Sequence, residues 1–105
     1  MLFRSPEIPR SMRTEWNVRD SDGILILTRS TLILDPGTNW AKKCSLHYKK
    51  PYAIEDPSDP LSEDRSRKWI AANSIAILNV AGPSEKMDPG IGQQAYNFLM
   101  QLLRR

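Results

Sequence analysis

The sequence predicts an α/β fold built on a small, mostly parallel sheet, and three observations carry that prediction. Two unbroken apolar runs, ILILT at 24–28 and IAILNV at 75–80, have the length of strands but no polar alternation. Runs of this kind suit strands covered on both faces, as in a parallel sheet sandwiched between helices. Stretches with apolar residues at helical spacing lie between and after them, and Asp, Pro or Gly punctuates their beginnings. Alternation of the two element types implies right-handed crossovers and a layered α/β domain.

Residues 1–13 carry Pro6, Pro9 and three arginines without periodicity, so they read as an irregular arm ahead of a single domain at 14–105. Thr14 is placed to cap a short helix ending at Val18 or Arg19. Asp20, Ser21, Asp22 and Gly23 form a turn into the first strand. Thr38 or Asn39 caps the next helix, on which Trp40, Cys44 and Tyr48 share one face before Pro51 ends it. Tyr52 to Glu55 is a short strand. Asp59 and Pro60 fit the N-cap and first position of a helix carrying Glu63–Arg67 and Asp64–Lys68 pairs. Ile75 to Val80 is a further buried strand. Asp88 and Pro89 then start an amphipathic last helix, which buries Ile91, Ala95, Phe98, Leu99 and Leu102 and turns Gln93, Gln94, Asn97 and Gln101 to water. Trp16, Trp40 and Trp69 are expected in the core.

Composition narrows the function classes. With 105 residues the chain has room for one domain, and 40% apolar with 26% charged residues suits a globular protein. The charge of +3 is scattered, with acids between the basic residues, which is not the footprint of a nucleic-acid binder. No apolar run reaches the roughly 18 residues of a membrane span. Cys44 is the single cysteine, so no internal disulfide forms and a reducing cytoplasm is the expected location. Cys44 and His47 are too few to make a structural zinc site, and no nucleophile pairs with His47.

Ligands of open parallel sheets bind beyond the carboxyl ends of the strands, where loops lead into helix starts. Two loops qualify here. Asp35-Pro36-Gly37-Thr38 offers close backbone approach at Gly37 and helix-start amides that attract an anion such as phosphate. NVAGPSEKMDPG, from Asn79 to Gly90, joins the last strand to the last helix. Both have an ordinary structural reading as turns. Glu85 and Asp88 are a conceivable carboxylate pair, although Asp88 already serves as a cap.

TEWNVRDSDGILILT at 14–28, the DPGT turn, KKPY at 49–52 and ILNVAGPSEKMDPGI at 77–91 closely resemble, in order and in register, the putative molybdenum carrier family. The resemblance implies a Rossmann-like three-layer sandwich. It also implies kinship with the lysine-decarboxylase-like nucleotide phosphoribohydrolases, and with it a pocket for a nucleotide or a molybdenum cofactor. It places Asn17, Asp20 and Asp22 beside that pocket, makes Gly37 and Thr38 the remnant of a phosphate loop, and gives Asn79, Gly82, Pro83 and Glu85 to a second wall; Gly90, at the end of the same loop, is a further candidate ligand-binding residue.

The chain departs from the pattern in three places. Ala41 stands where the phosphoribohydrolases carry a catalytic glutamate, and Ser84 stands where the family has an arginine after Gly-Pro. The family's opening strand and Ser-Gly-Gly-Gln-Thr-Gly loop have no counterpart, so the chain looks like the carboxyl two-thirds of the family domain. With three strands only, one edge is expected to lie open and to recruit a second copy or a partner supplying the missing strand. These observations favour a non-catalytic binding module. The alternatives are an incomplete assembly subunit with a lost site, and a hydrolase of nucleotide N-glycosidic bonds relying on Asp22 or Glu85.

Overall fold

Five consecutive residues, Gly23 to Leu27, are all buried, and the fold is arranged around them. In the computed structural model, residues 10–30 and 32–104 are described. They form α1 (Arg10–Arg19), β1 (Gly23–Leu27), α2 (Pro36–His47), β2 (Tyr52–Glu55), α3 (Ser62–Ala72), β3 (Leu78–Ala81) and α4 (Ile91–Leu102). The sheet has the order β2-β1-β3 and is parallel throughout, with Ile24 opposite both Tyr52 and Asn79. Its central strand is therefore the one with no polar alternation, as a strand covered on two faces should be.

Alternate residues of β1 supply two cores. Ile24 and Ile26 meet Val18 of α1 and Cys44 of α2 on one face. Leu25 and Leu27 meet Phe98 and Leu102 of α4 on the other, with Trp69 and Ile70 of α3 packed alongside. Each fully buried aliphatic side chain contributes roughly 1.5–3 kcal/mol relative to exposure, so β1 is the energetic centre of the molecule. The three-layer, Rossmann-like arrangement expected from the sequence is the one observed.

Several boundaries differ from expectation, each for a local reason. Residues 10–13 are the first turn of α1 rather than the end of an irregular arm, so Thr14 lies inside the helix. The indole N–H of Trp40 donates to the Ser11 carbonyl at 2.8 Å and ties this turn to α2. Trp40 is consequently a half-exposed clamp and not a core residue. The rest of the expected arm, residues 1–9, lies outside the described residues. The buried strand expected at 75–80 pairs only from Leu78, because the Asp22 carboxylate accepts the amides of Ala76 and Ile77 at 3.0 and 2.8 Å. β3 is also an edge strand, with Val80 exposed.

Helix starts moved too. Asp35, not Thr38 or Asn39, caps α2: its carboxylate accepts the Thr38 amide and hydroxyl, and Pro36 at the first turn has no amide to satisfy. Asp59 accepts the Leu61 amide at 2.9 Å, yet α3 begins only at Ser62. Around it a polar cluster fixes the end of β2, with buried Glu55 accepting from the Ser62 hydroxyl at 2.9 Å and from the Arg65 guanidinium at 2.8 Å. Arg65 also reaches Asp59 at 2.8 Å. These carboxylates hold its guanidinium even more firmly protonated than usual.

Both α2 and α3 end in a left-handed residue that is not glycine: Lys49 at φ 56 and Ser74 at φ 51. The amides of Lys49 and Lys50 return to Leu46 and Ser45, and those of Ser74 and Ile75 return to Ala71 and Ile70. This is the paired 6→1 and 5→2 closure of a Schellman motif, whose left-handed position favours glycine. Replacing Lys49→Gly or Ser74→Gly is expected to raise unfolding stability by about 0.5–1 kcal/mol each, as the left-handed penalty is relieved. Urea denaturation with an unchanged m-value would verify it.

Candidate functional site

At the carboxyl end of the sheet, β1 and β3 separate into their following loops, and a cleft of about 630 Å³ opens there. Its floor is Leu27 of β1 and Asn79, Val80 and Ala81 of β3. Thr14 and Asn17, one helical turn apart on α1, form one wall, and Asp35 to Thr38 with Ala41 at the start of α2 form the next. The far side is the Gly82–Ser84 turn, Met87 and the first turns of α4 at Ile91, Gly92 and Ala95. Gly82 is there for a steric reason: a Cβ would run into the backbone carbonyl of Leu27. The turn from β3 can therefore lie directly on the end of β1 only with glycine at this position.

Six of the residues expected at the site meet in this cleft: Asn17, Gly37, Thr38, Asn79, Gly82 and Pro83. Four do not line it. Asp20 pairs with Arg19 at 3.0 Å just past the last residue of α1. Asp22 precedes β1, so it sits at the amino end of the sheet, where two amides of the β3 lead-in hold its carboxyl below the usual range. Gly90 is the N-cap of α4 in left-handed geometry at φ 89, a position that suits glycine. Glu85 reaches over the start of the same helix and accepts the amides of Gly90 and Gly92, each at 2.7 Å. It thereby takes over the capping expected of Asp88, whose carboxylate instead lies 3.3 Å from Arg29.

The electrostatics of the cleft follow from these bonds. Among the described residues that line it, Asp35 is the only ionisable side chain, and it is committed to Thr38. The nearby cation Arg29 lines an adjoining groove instead and is held by Asp88 and by Gln94 at 2.7 Å. The two amides and the influence of Arg29 lower the Glu85 pKa. A lowered folded-state value means that this contribution is complete above the unfolded pKa and is lost as pH falls through the folded one. We therefore expect the first turn of α4 to loosen below about pH 4, the ordinary glutamate range. Glu85→Gln should make that loss pH-independent in amide-exchange profiles of Gly90 and Gly92.

Residues missed from sequence alone include Thr14, Met87, Ile91 and Gly92. Thr14 was within reach, since a residue three positions before Asn17 shares its helical face. No cluster of metal-binding side chains occurs among the described residues. No described helix is long and apolar enough to cross a membrane.

Comparison with known proteins agrees with the fold. The family model described as the circularly permutated YpsA SLOG family matches residues 2–103. A crystal structure from Syntrophus aciditrophicus SB, described as a putative molybdenum carrier protein, is 35% identical and superposes with a TM-score of 0.81. That match covers 95% of this chain and 64% of the other, so the chain spans less than two-thirds of that protein's length. No curated protein sequence matches the chain.

Proposed function

This chain belongs to the circularly permutated YpsA SLOG family, and on that premise we propose that it binds a nucleotide-like small molecule in the cleft without transforming it. The observation that carries the reading is the cleft itself. It lies at the carboxyl ends of β1 and β3, where parallel sheets take ligands, and its volume of about 630 Å³ falls within the range of small-molecule sites. Its lining combines uncharged hydrogen-bonding groups, Thr14, Asn17, Asn79 and Ser84, with the apolar surfaces of Val80, Met87 and Ile91. That combination fits a base against the apolar side and a sugar against amides and hydroxyls. Ala41 in the wall supplies no acid or base. The alternative of N-glycosidic hydrolysis would require Asp22 or Glu85 beside the sugar, and neither lines the cleft.

Self-association belongs to the same proposal. β3 pairs with β1 on one side only, and Ile77 and Val80 are exposed there. Along α4 and its C-cap, Tyr96, Met100 and Leu103 are exposed apolar residues at helical spacing. An open edge flanked by apolar surface suits pairing with a second copy. The reducing cytoplasm is the compartment that suits buried, unpaired Cys44.

The binding reading is tested by isothermal titration of the purified chain with the four common ribonucleosides and their 5′-monophosphates. Saturable binding weakened at least tenfold by Asn79→Leu and by Asn17→Leu, at unchanged melting temperature, is the expected result. Heats indistinguishable from dilution for all eight compounds would end the proposal.

A further inference from the structure

The nucleotide-like reading leaves open which part of such a ligand the cleft accepts, and the bonding at its two helix starts bears on that. Helix N-termini are ready anion sites because their first amides lack intrahelical partners. Two such starts border this cleft. At α2 the Asp35 carboxylate takes the Thr38 amide and hydroxyl. At α4 the Glu85 carboxylate takes the amides of Gly90 and Gly92 at 2.7 Å each, and a Cβ added to Gly92 would come within 2.8 Å of its Oε1. At both starts a carboxylate belonging to the chain thus already takes backbone amides that a phosphate would seek.

Among the described residues that line the cleft, no cation compensates. The described lining contains neither lysine nor arginine, and Ser84 brings only a hydroxyl to the turn after β3. Arg29 lies in the adjoining groove and is neutralised by Asp88. Arg13 lies on α1 beside Thr14 but is not among the lining residues. An incoming dianion would meet the Asp35 carboxylate of the lining and find the α4 amides already bonded to Glu85, whereas a neutral sugar or base would meet amides and hydroxyls able both to donate and to accept.

We propose that the cleft selects for uncharged, nucleoside-type ligands and rejects their phosphorylated forms, with Glu85 and Asp35 acting as built-in anions that occupy the helix starts. The inference rests on the nucleotide-like reading above and narrows its substrate class. It applies to inorganic oxyanions as well, so phosphate and molybdate are both excluded from these amides.

The test compares each ribonucleoside with its 5′-monophosphate by isothermal titration at 20 and 300 mM salt. The wild-type chain is expected to bind its preferred nucleoside at least tenfold more tightly than the monophosphate at low salt. The gap should narrow at high salt, because screening weakens the repulsion between exposed charges. Glu85→Gln is expected to improve monophosphate binding several-fold and to leave nucleoside binding within twofold. Should that variant fold poorly, the salt dependence of the wild-type chain carries the same information. A monophosphate that binds as tightly as its nucleoside at low salt, or more tightly, overturns the charge selection while leaving the binding reading intact. If Arg13→Ala then removes that tight binding, the anion has a cationic anchor and the proposal is wrong for that reason. Absence of binding by nucleosides and monophosphates alike removes both readings together.

Discussion

Gly82→Ala is expected to lower unfolding stability by about 2–3 kcal/mol and to abolish ligand binding in the cleft. The added methyl would be driven into the carbonyl of Leu27, a backbone atom that cannot rotate away. Relief requires β3 to move off the end of β1, which strains the pairing of Ile26 with Ala81. Overpacking of this kind costs about 1–3 kcal/mol where side chains can adjust, and a backbone obstacle places this change at the upper end. The contrasting position is Gly23, where an added methyl would meet the side chain of Ile75, which has torsions to spare. Gly23→Ala should therefore cost less than Gly82→Ala and leave binding intact. Chemical denaturation of both variants with titration of any cleft ligand gives the comparison, and equal losses would show that the contact with Leu27 is not the cause.

Arg65→Met is expected to be the second large loss, at about 2 kcal/mol. Glu55 is 8% exposed, and without Arg65 its carboxylate keeps only the Ser62 hydroxyl among its side-chain partners. Removing one partner of a buried pair costs about 3–5 kcal/mol because the other charge is stranded; the half-exposed guanidinium reduces that figure here. The double variant Glu55→Leu with Arg65→Met should regain most of the loss, since an apolar pair makes no demand for solvation. A double-mutant cycle measured by urea unfolding would show positive coupling, and strict additivity would contradict the stranded-charge account.

The contrast between what the sequence revealed and what it hid follows interaction range. GILIL announced β1 because burial on both faces leaves no polar position, and the periodicity of 91–102 announced α4. The helix starts were harder. Asp88-Pro89 has the chemistry of a cap and first turn, but Glu85 claims the amides by folding back from three residues earlier, and Asp88 turns to Arg29. Local propensity does not register a competitor that arrives through loop geometry. β3 starts later than its apolar run suggests for a similar reason: the amides of Ala76 and Ile77 are bonded by Asp22, more than fifty positions away.

The site shows the same division. Asn17, Gly37, Thr38, Asn79, Gly82 and Pro83 meet because the carboxyl-end rule for parallel sheets holds. Asp20 and Asp22 fail by that very rule, since residues that lead into a strand sit at its amino end. Topology already implied this exclusion, and only the likeness of the surrounding motif drew them in. Glu85 was expected as a wall and instead closes the helix start that would have made an anion site. That closure is set by loop geometry and leaves no local signature in the sequence.

The central place of β1 also divides the molecule by how readily its parts open. Amides along β1 are held by neighbours on both sides and shielded from water by two helical layers, so their release needs global unfolding. β3 is bonded on one side only and forms part of the cleft floor. In hydrogen exchange, β1 should report the full unfolding free energy, while the outward amides of β3 exchange through fluctuations orders of magnitude more frequent. A molecule bound against Asn79 and Val80, or a second chain laid along that edge, would slow the β3 amides selectively.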